Sequence, residues 1–215
     1  LTHDHADHVR FVYKLLRKYK APRICVWCTN RCLIGMLRKH SISNRIKEYH
    51  KAIFHEIPFT VAGMTITAFK QSHDSEDCSG FMVEGGGHRF VVSPDQGEIT
   101  SRADFYMRQA QYLMIESNYD RHMLLTGKYP AYLKARVEGS RGHLDNKVTA
   151  KFVADIWTPE LKFVFLNHLS NDNNTPEIAL HETRSALEQK GITVGDASFA
   201  PDQAQCDVQL YALPR

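Results

Sequence analysis

The chain opens on Thr2-His3-Asp4-His5-Ala6-Asp7-His8, and this crowding of imidazoles around Asp7 restricts it more than any other feature. Imidazole nitrogen and carboxylate oxygen together suit Zn²⁺, Mn²⁺ or Fe²⁺. In a loop that follows a strand, His3 and His5 can face one way and share an ion. Asp7 and His8 then turn toward a second ion as the chain enters a helix. The rest of the chain must bring further ligands to this cluster. Leu1 reads as the end of an apolar strand, so the numbering is expected to begin inside a longer protein whose first strands precede it.

The remainder reads as alternating helices and strands. Val9, Val12, Leu15 and Leu16 give one apolar face to a helix over His8–Lys20, followed by a strand at Arg23–Cys28 and a helix at Asn30–Lys39. A shorter helical piece is expected near Arg45–Lys51. Strands follow at Ile53–Ile57, Met64–Phe69, Gly80–Glu84 and Arg89–Ser93, the last two joined by Gly85-Gly86-Gly87. Beyond them come a helix at Ile99–Gln109, a strand at Tyr112–Glu116, and helical pieces over Leu124–Val137 broken by Gly127 and Pro130. A helix at Asn146–Trp157, a strand at Lys162–Asn167, a helix at Pro176–Lys190 and a strand at Val208–Leu213 complete the pattern. Such alternation predicts one α/β domain over residues 1–215, with sheets covered by helices.

Composition excludes some functions. No run of about 18 apolar residues is present, so no membrane span is expected, and a secretory pattern is absent, which predicts a cytoplasmic location. The formal charge of +3 makes no case for nucleic acid by itself. The five cysteines fit reduced thiols better than a disulfide framework. Cys25-Val26-Trp27-Cys28 has a C-x-x-C spacing open to metal or redox work, but reads as a buried strand running into the helix that carries Cys32.

Three more residues stand behind apolar strands: His73 after Met64–Phe69, Asp95 after Arg89–Ser93, and His168 after Lys162–Asn167. With T-H-x-H-x-D-H at the start, this ordered set resembles the metallo-β-lactamase superfamily. The resemblance implies a four-layer αβ/βα sandwich, here lacking its first strands, with metals at one edge of the paired sheets. It implies that His3, His5 and His73 hold one ion and Asp7, His8 and His168 the other, with Asp95 between them. Two such cations activate a shared water as the attacking hydroxide.

The fold serves lactams, thioesters, lactones and phosphodiesters alike. His at position 5, where the diiron oxygen-reducing branch carries Glu, favours hydrolysis, and Asp95 without a cysteine argues against the β-lactamases with Cys at the second site. Gly142-His143-Leu144 resembles the Gly-His segment of ribonuclease Z-like phosphodiesterases, which implies that His143 meets the scissile phosphate. Lys134, Arg136 and Arg141 lie just upstream as candidate phosphate contacts. Glu116, Asn118 and Asp120 form a polar patch that either orients ligands, lines the cleft or makes a simple turn.

A closer similarity is to the YycJ/WalJ branch. It rests on Ser72-His73-Asp74 with Gly80-Phe81, Ile115-Glu116-Ser117-Asn118-Tyr119-Asp120, Met123-Leu124 with Gly127, Tyr129-Pro130, Leu133-Lys134, Gly142-His143-Leu144, and His168-Leu169-Ser170 with Asn173-Asn174. Asp145 replaces a more usual Ser, and Cys78 a common Pro. The branch implies 5′→3′ exonuclease activity on DNA with two divalent ions. The competing expectations are a hydrolase of a small ester, thioester or cyclic phosphodiester, and a non-catalytic nucleic-acid-binding regulator.

Overall fold

A computed structural model describes residues 1–19, 24–196 and 206–214. The first part of the chain forms α1 (Ala6–Val9), α2 (Val12–Tyr19), β1 (Val26–Cys28), α3 (Asn30–Lys39), a 3₁₀ turn over Asn44–Glu48 and β2 (His50–Ala52). The single helix expected over His8–Lys20 is thus interrupted at Arg10-Phe11; Lys20, and Arg23 of the expected first strand, lie outside the described residues. β1 and β2 pair in parallel, with Val26 opposite His50 and Cys28 opposite Ala52. That pairing corrects the helical expectation at Arg45–Lys51: helical geometry stops at Glu48 because the following backbone satisfies its hydrogen bonds on β1. Val9, Leu16, Val26, Cys28, Cys32, Met36 and Ile46 close a core beneath these elements, so two of the cysteines pack as apolar residues.

The second part is built on an eight-stranded sheet. It contains β3 (Phe59–Val61), β4 (Met64–Lys70), β5 (Ser79–Gly85), β6 (His88–Ser93), β7 (Tyr112–Glu116), β8 (Phe163–Asn167), β9 (Val194–Gly195) and β10 (Val208–Ala212), in the order β3-β4-β5-β6-β7-β8-β10-β9. β3 to β6 are antiparallel neighbours and β6 to β10 parallel ones. The chemistry of the links explains the switch. Ala62-Gly63 and Gly86-Gly87 take positive φ and turn the chain directly back, as tight hairpins require. Parallel neighbours instead need helical crossovers, supplied by α4 (Ser101–Met107), by α5 (Arg121–Thr126), α6 (Ala131–Glu138) and α7 (Asn146–Ile156), and by α8 (Pro176–Glu188). Phe69, Val91, Leu113, Ile115, Val164, Leu166 and Leu210 are buried in one core with Leu187 of α8.

One strand is displaced from its expected place. Ile53–Ile57 is irregular, with Phe54 and Ile57 exposed, and the strand begins after Pro58 instead. The Ala62-Gly63 turn sets Phe59 opposite Ile66, which fixes the register of β3 on β4. The short β9 was not expected at all. The mixed α/β architecture with helix-flanked sheets is as read from the sequence; among the described residues the smaller sheet has two strands rather than a full layer. No described helix is long and apolar enough to cross a membrane.

Because β4 and β6 are both antiparallel to β5, and β7 and β8 are parallel to β6, these four strands all end at the same edge of the sheet. His73, Asp95, Glu116 and His168 sit at or just beyond those four ends.

Candidate metal centre

Every residue expected as a ligand reaches this edge. His3, His5, His73 and Asp95 offer ligand atoms within 4.8 Å of one another; so do Asp7, His8 and His168, and so do Asp95, Glu116, His143 and His168. The Asp95 carboxylate is common to the whole arrangement. Its Oδ2 lies 3.6 Å from Nε2 of His3, 3.6 Å from Nε2 of His73 and 3.5 Å from Nε2 of His8, while Oδ1 lies 3.2 Å from Nδ1 of His168. The Nε2 of His168 is 3.5 Å from Asp7, and the Nε2 of His73 is 3.2 Å from Nδ1 of His5.

Backbone and side-chain contacts aim these rings. The Nδ1–H of His73 donates to the Gly142 carbonyl at 3.0 Å, which leaves Nε2 as its free donor atom. The hydroxyl of Thr2 lies 3.1 Å from Nδ1 of His3, and Nε2 of that buried ring has no hydrogen-bond partner, nor has Oδ1 of Asp95. Buried polar atoms without partners are costly, and here they converge. His168 adopts φ 54°, a left-handed conformation unusual outside glycine. That turn at the end of β8 brings its ring back over Glu116 and Asp95.

Glu116 organises the second half of the cluster. It is fully buried at the end of β7. Its Oε1 accepts from Nδ1 of His143 at 2.7 Å and from Nδ1 of His168 at 2.8 Å. Its Oε2 accepts from the backbone N–H groups of Gln96 (2.8 Å) and Leu144 (3.2 Å). One carboxylate therefore ties four segments together. Of the readings open for the polar patch after β7, the structure puts Glu116 against the histidines. Asn118 donates to the His168 carbonyl at 2.7 Å, and Asp120 caps α5 by accepting from the Met123 N–H at 2.8 Å.

The electrostatics show how much negative charge the pocket concentrates. Burial works against a charged Asp95, yet His8, His168 and His3 hold its carboxyl well below the usual range. Glu116 is likewise lowered against burial by His143 and His168. His168, despite burial that disfavours its charge, is pushed up to about 11 by Asp7 and Glu116. His3 goes the other way: burial pushes it down to about 3, which keeps the ring neutral. A neutral ring beside buried carboxylates suits coordination of a cation.

Two residues that the sequence did not single out complete the surroundings. Asp4 is buried and makes an ion pair with Lys39 at 2.8 Å, accepts from the Glu76 N–H at 3.2 Å, and sits so close to Gly35 that a Cβ there would lie 2.2 Å from its oxygen. Asp74 lies 3.4 Å from Nε2 of His5 and 2.5 Å from Nε of Arg136. The D-x-x-x-H interior of the first motif and the residue after His73 were the available signals, but neither carries a periodicity that announces burial.

The expected phosphate contacts part company. Arg136 lines a cleft of about 560 Å³ together with Asp7, His143, His168 and Asn118. Lys134 donates instead to the Leu125 carbonyl at 2.6 Å, and Arg141 to the His73 carbonyl at 3.2 and 3.0 Å; neither lines that cleft.

Known proteins resemble this chain along most of its length. A family profile described as Beta-lactamase superfamily domain matches residues 1–165. Exodeoxyribonuclease YycJ of Bacillus anthracis is 32% identical over 198 residues, covering 92% of this chain and 73% of that protein. Exodeoxyribonuclease WalJ of Streptococcus pneumoniae is 28% identical over 196 residues, or 91% of this chain and 71% of its own. Among solved structures, the metallo-β-lactamase fold protein YhfI from Bacillus subtilis superposes with a TM-score of 0.64 at 15% identity, covering 99% of this chain and 72% of YhfI.

Proposed function

Since the chain belongs to the β-lactamase superfamily, we propose that it is a metal-dependent phosphodiesterase that degrades DNA from the 5′ end. The observation that carries this reading is the Asp95 carboxylate, placed 3.2–3.6 Å from four imidazoles that arrive from three parts of the chain. The names of the YycJ and WalJ relatives support a deoxyribonucleic substrate.

The donor set fits a pair of divalent cations. His3, His5 and His73 would hold one, Asp7, His8 and His168 the other, and Asp95 both; the unpartnered His3 Nε2 and Asp95 Oδ1 are accounted for in this way. The mixture of nitrogen and carboxylate oxygen suits Zn²⁺ or Mn²⁺, and also Fe²⁺. Such ions, when bound, lower the pKa of a water and stabilise charge on the attacked phosphoryl group.

The chain's own residues do the rest. Glu116 holds Nδ1–H of His143, fixes the orientation of the ring and favours its protonated form. Nε2 is then the atom free to give a proton to the leaving oxygen, the role of a general acid. His143 lines the cleft with Arg136, a guanidinium that pairs with Asp74 through Nε and would meet a neighbouring phosphate through its terminal nitrogens. The links from Arg141 to the His73 carbonyl and from Lys134 to the end of α5 give these two residues a positioning role.

Purified, metal-loaded protein is expected to shorten 3′-labelled DNA progressively from its 5′ end. Asp7→Ala should abolish turnover, and His143→Ala should lower kcat by about 10²-fold or more while metal content is retained. DNA and RNA left intact while chromogenic esters are hydrolysed would overturn the nuclease reading.

A further inference from the structure

The small net charge conceals a strong division. Residues 9–47 contain eleven Lys or Arg and no Asp or Glu, whereas the whole chain is only +3, so the rest is acidic by eight charges. This basic segment begins two residues after Asp7. Within it, α1 and α2 bury Val9 and Leu16 and leave Arg10, Lys14, Arg17 and Lys18 exposed. Arg38, Lys39 and Arg45 of the same segment have carboxylate partners. None of these four cations, Arg10 at the break between α1 and α2 and the three on α2, is ion-paired among the described residues. Exposed rings stand among them: Phe11 is 64% and Tyr19 51% exposed, with the Arg10 guanidinium 5.0 Å from the Phe11 ring centre and the Lys18 ammonium 5.4 Å from that of Tyr19. Between the helix and Ser41-Ile42 runs a groove of about 910 Å³, lined by these cations and Phe11.

We propose that this groove is the track for a single-stranded segment of the nucleic acid whose end lies at the metal centre, an inference that rests on the phosphodiesterase reading above. Unpaired cations along a groove meet a polyanionic backbone, and exposed rings give bases a surface to stack on. The rings favour a single strand, because bases within a duplex have no free face to offer. Direct continuity connects the track to the chemistry, since Asp7 and His8 lie on α1 and Arg10 follows one turn later.

The test is an anisotropy titration of a labelled twelve-nucleotide single strand with phosphorothioate linkages, at several salt concentrations, on the full chain. Lys14→Ala/Arg17→Ala should weaken binding tenfold or more at low salt and reduce the slope of log K against log salt by about 1.4, the value for two lost phosphate contacts. Phe11→Ala should weaken binding by a similar factor and leave that slope unchanged, a pattern that general loss of structure would not produce. Unfolding midpoints within a degree or two of the parent confirm the fold of each variant. Parent-like affinity and slope in both variants would overturn the track. Binding to vesicles of anionic phospholipid that is lost in the double variant, with strand affinity unaltered, would overturn it in favour of a membrane surface. A chain that binds the strand through these residues but cleaves no nucleic acid would retain the track and refute the nuclease; one that cleaves DNA with all variants binding equally would do the reverse.

Discussion

At the residue scale the site depends on Glu116 as much as on its candidate ligands. Its carboxylate is inaccessible to water and accepts four hydrogen bonds, two from imidazoles and two from backbone N–H groups. Substituting Gln keeps the shape but replaces one acceptor oxygen by a donor, which must then confront an N–H. Glu116→Gln is therefore expected to lower kcat by at least 10²-fold, since His143 loses the partner that fixes its tautomer. It should also weaken metal retention at His168, measured by elemental analysis after gel filtration. Unchanged kcat would show that the His143 ring needs no such anchor. The seven candidate ligands were legible as residues because histidine and aspartate are conspicuous behind apolar strands. Glu116 was legible only as one of several polar options, because a buried carboxylate and a turn carboxylate look alike until their neighbours are known. Asp4 and Asp74 were invisible for the same reason: each has its role through contacts with residues at least 30 positions distant, Lys39 and Arg136.

At the element scale, close backbone approach is what delivers His143. A Cβ on Gly142 would lie 2.2 Å from the carbonyl oxygens of both Arg136 and Val137 at the end of α6, and one on Gly97 would lie 2.4 Å from Gly139 O and Gly142 N. Neither neighbour is the end of a flexible side chain, so relief requires the loop itself to move. Gly142→Ala is expected to cost about 1–3 kcal/mol, as overpacking does, and to reduce activity further by displacing His143. Denaturant titration and kcat on the same preparation check both parts. The helices and strands with clear periodicity, α3, β4 through β8 and α8, were legible within a few residues. Elements defined by their partners were not. β2 looks helical alone and is a strand because β1 is beside it; β3 is set by a hairpin register, not by the apolar run Ile53–Ile57; and β9 consists of two residues that pair with β10.

At the scale of the whole molecule, the cluster joins the two parts of the structure. His3, His5, Asp7 and His8 come with the smaller sheet and its helices, while His73, Asp95 and His168 come with the larger one. Cations held between them would act as a clamp, and a ligand that binds only the folded state stabilises it by mass action. Treatment with a chelator is expected to lower the thermal midpoint by several degrees, and Zn²⁺ or Mn²⁺ to restore it in a concentration-dependent manner. A midpoint indifferent to both would argue against structural metal. The division of charge described above has a separate consequence for handling. With an acidic body and a cationic flank, the molecule carries a large electric dipole, so it should be retained by both sulfonate and quaternary-amine resins in dilute buffer, each column selecting a different side of the same particle.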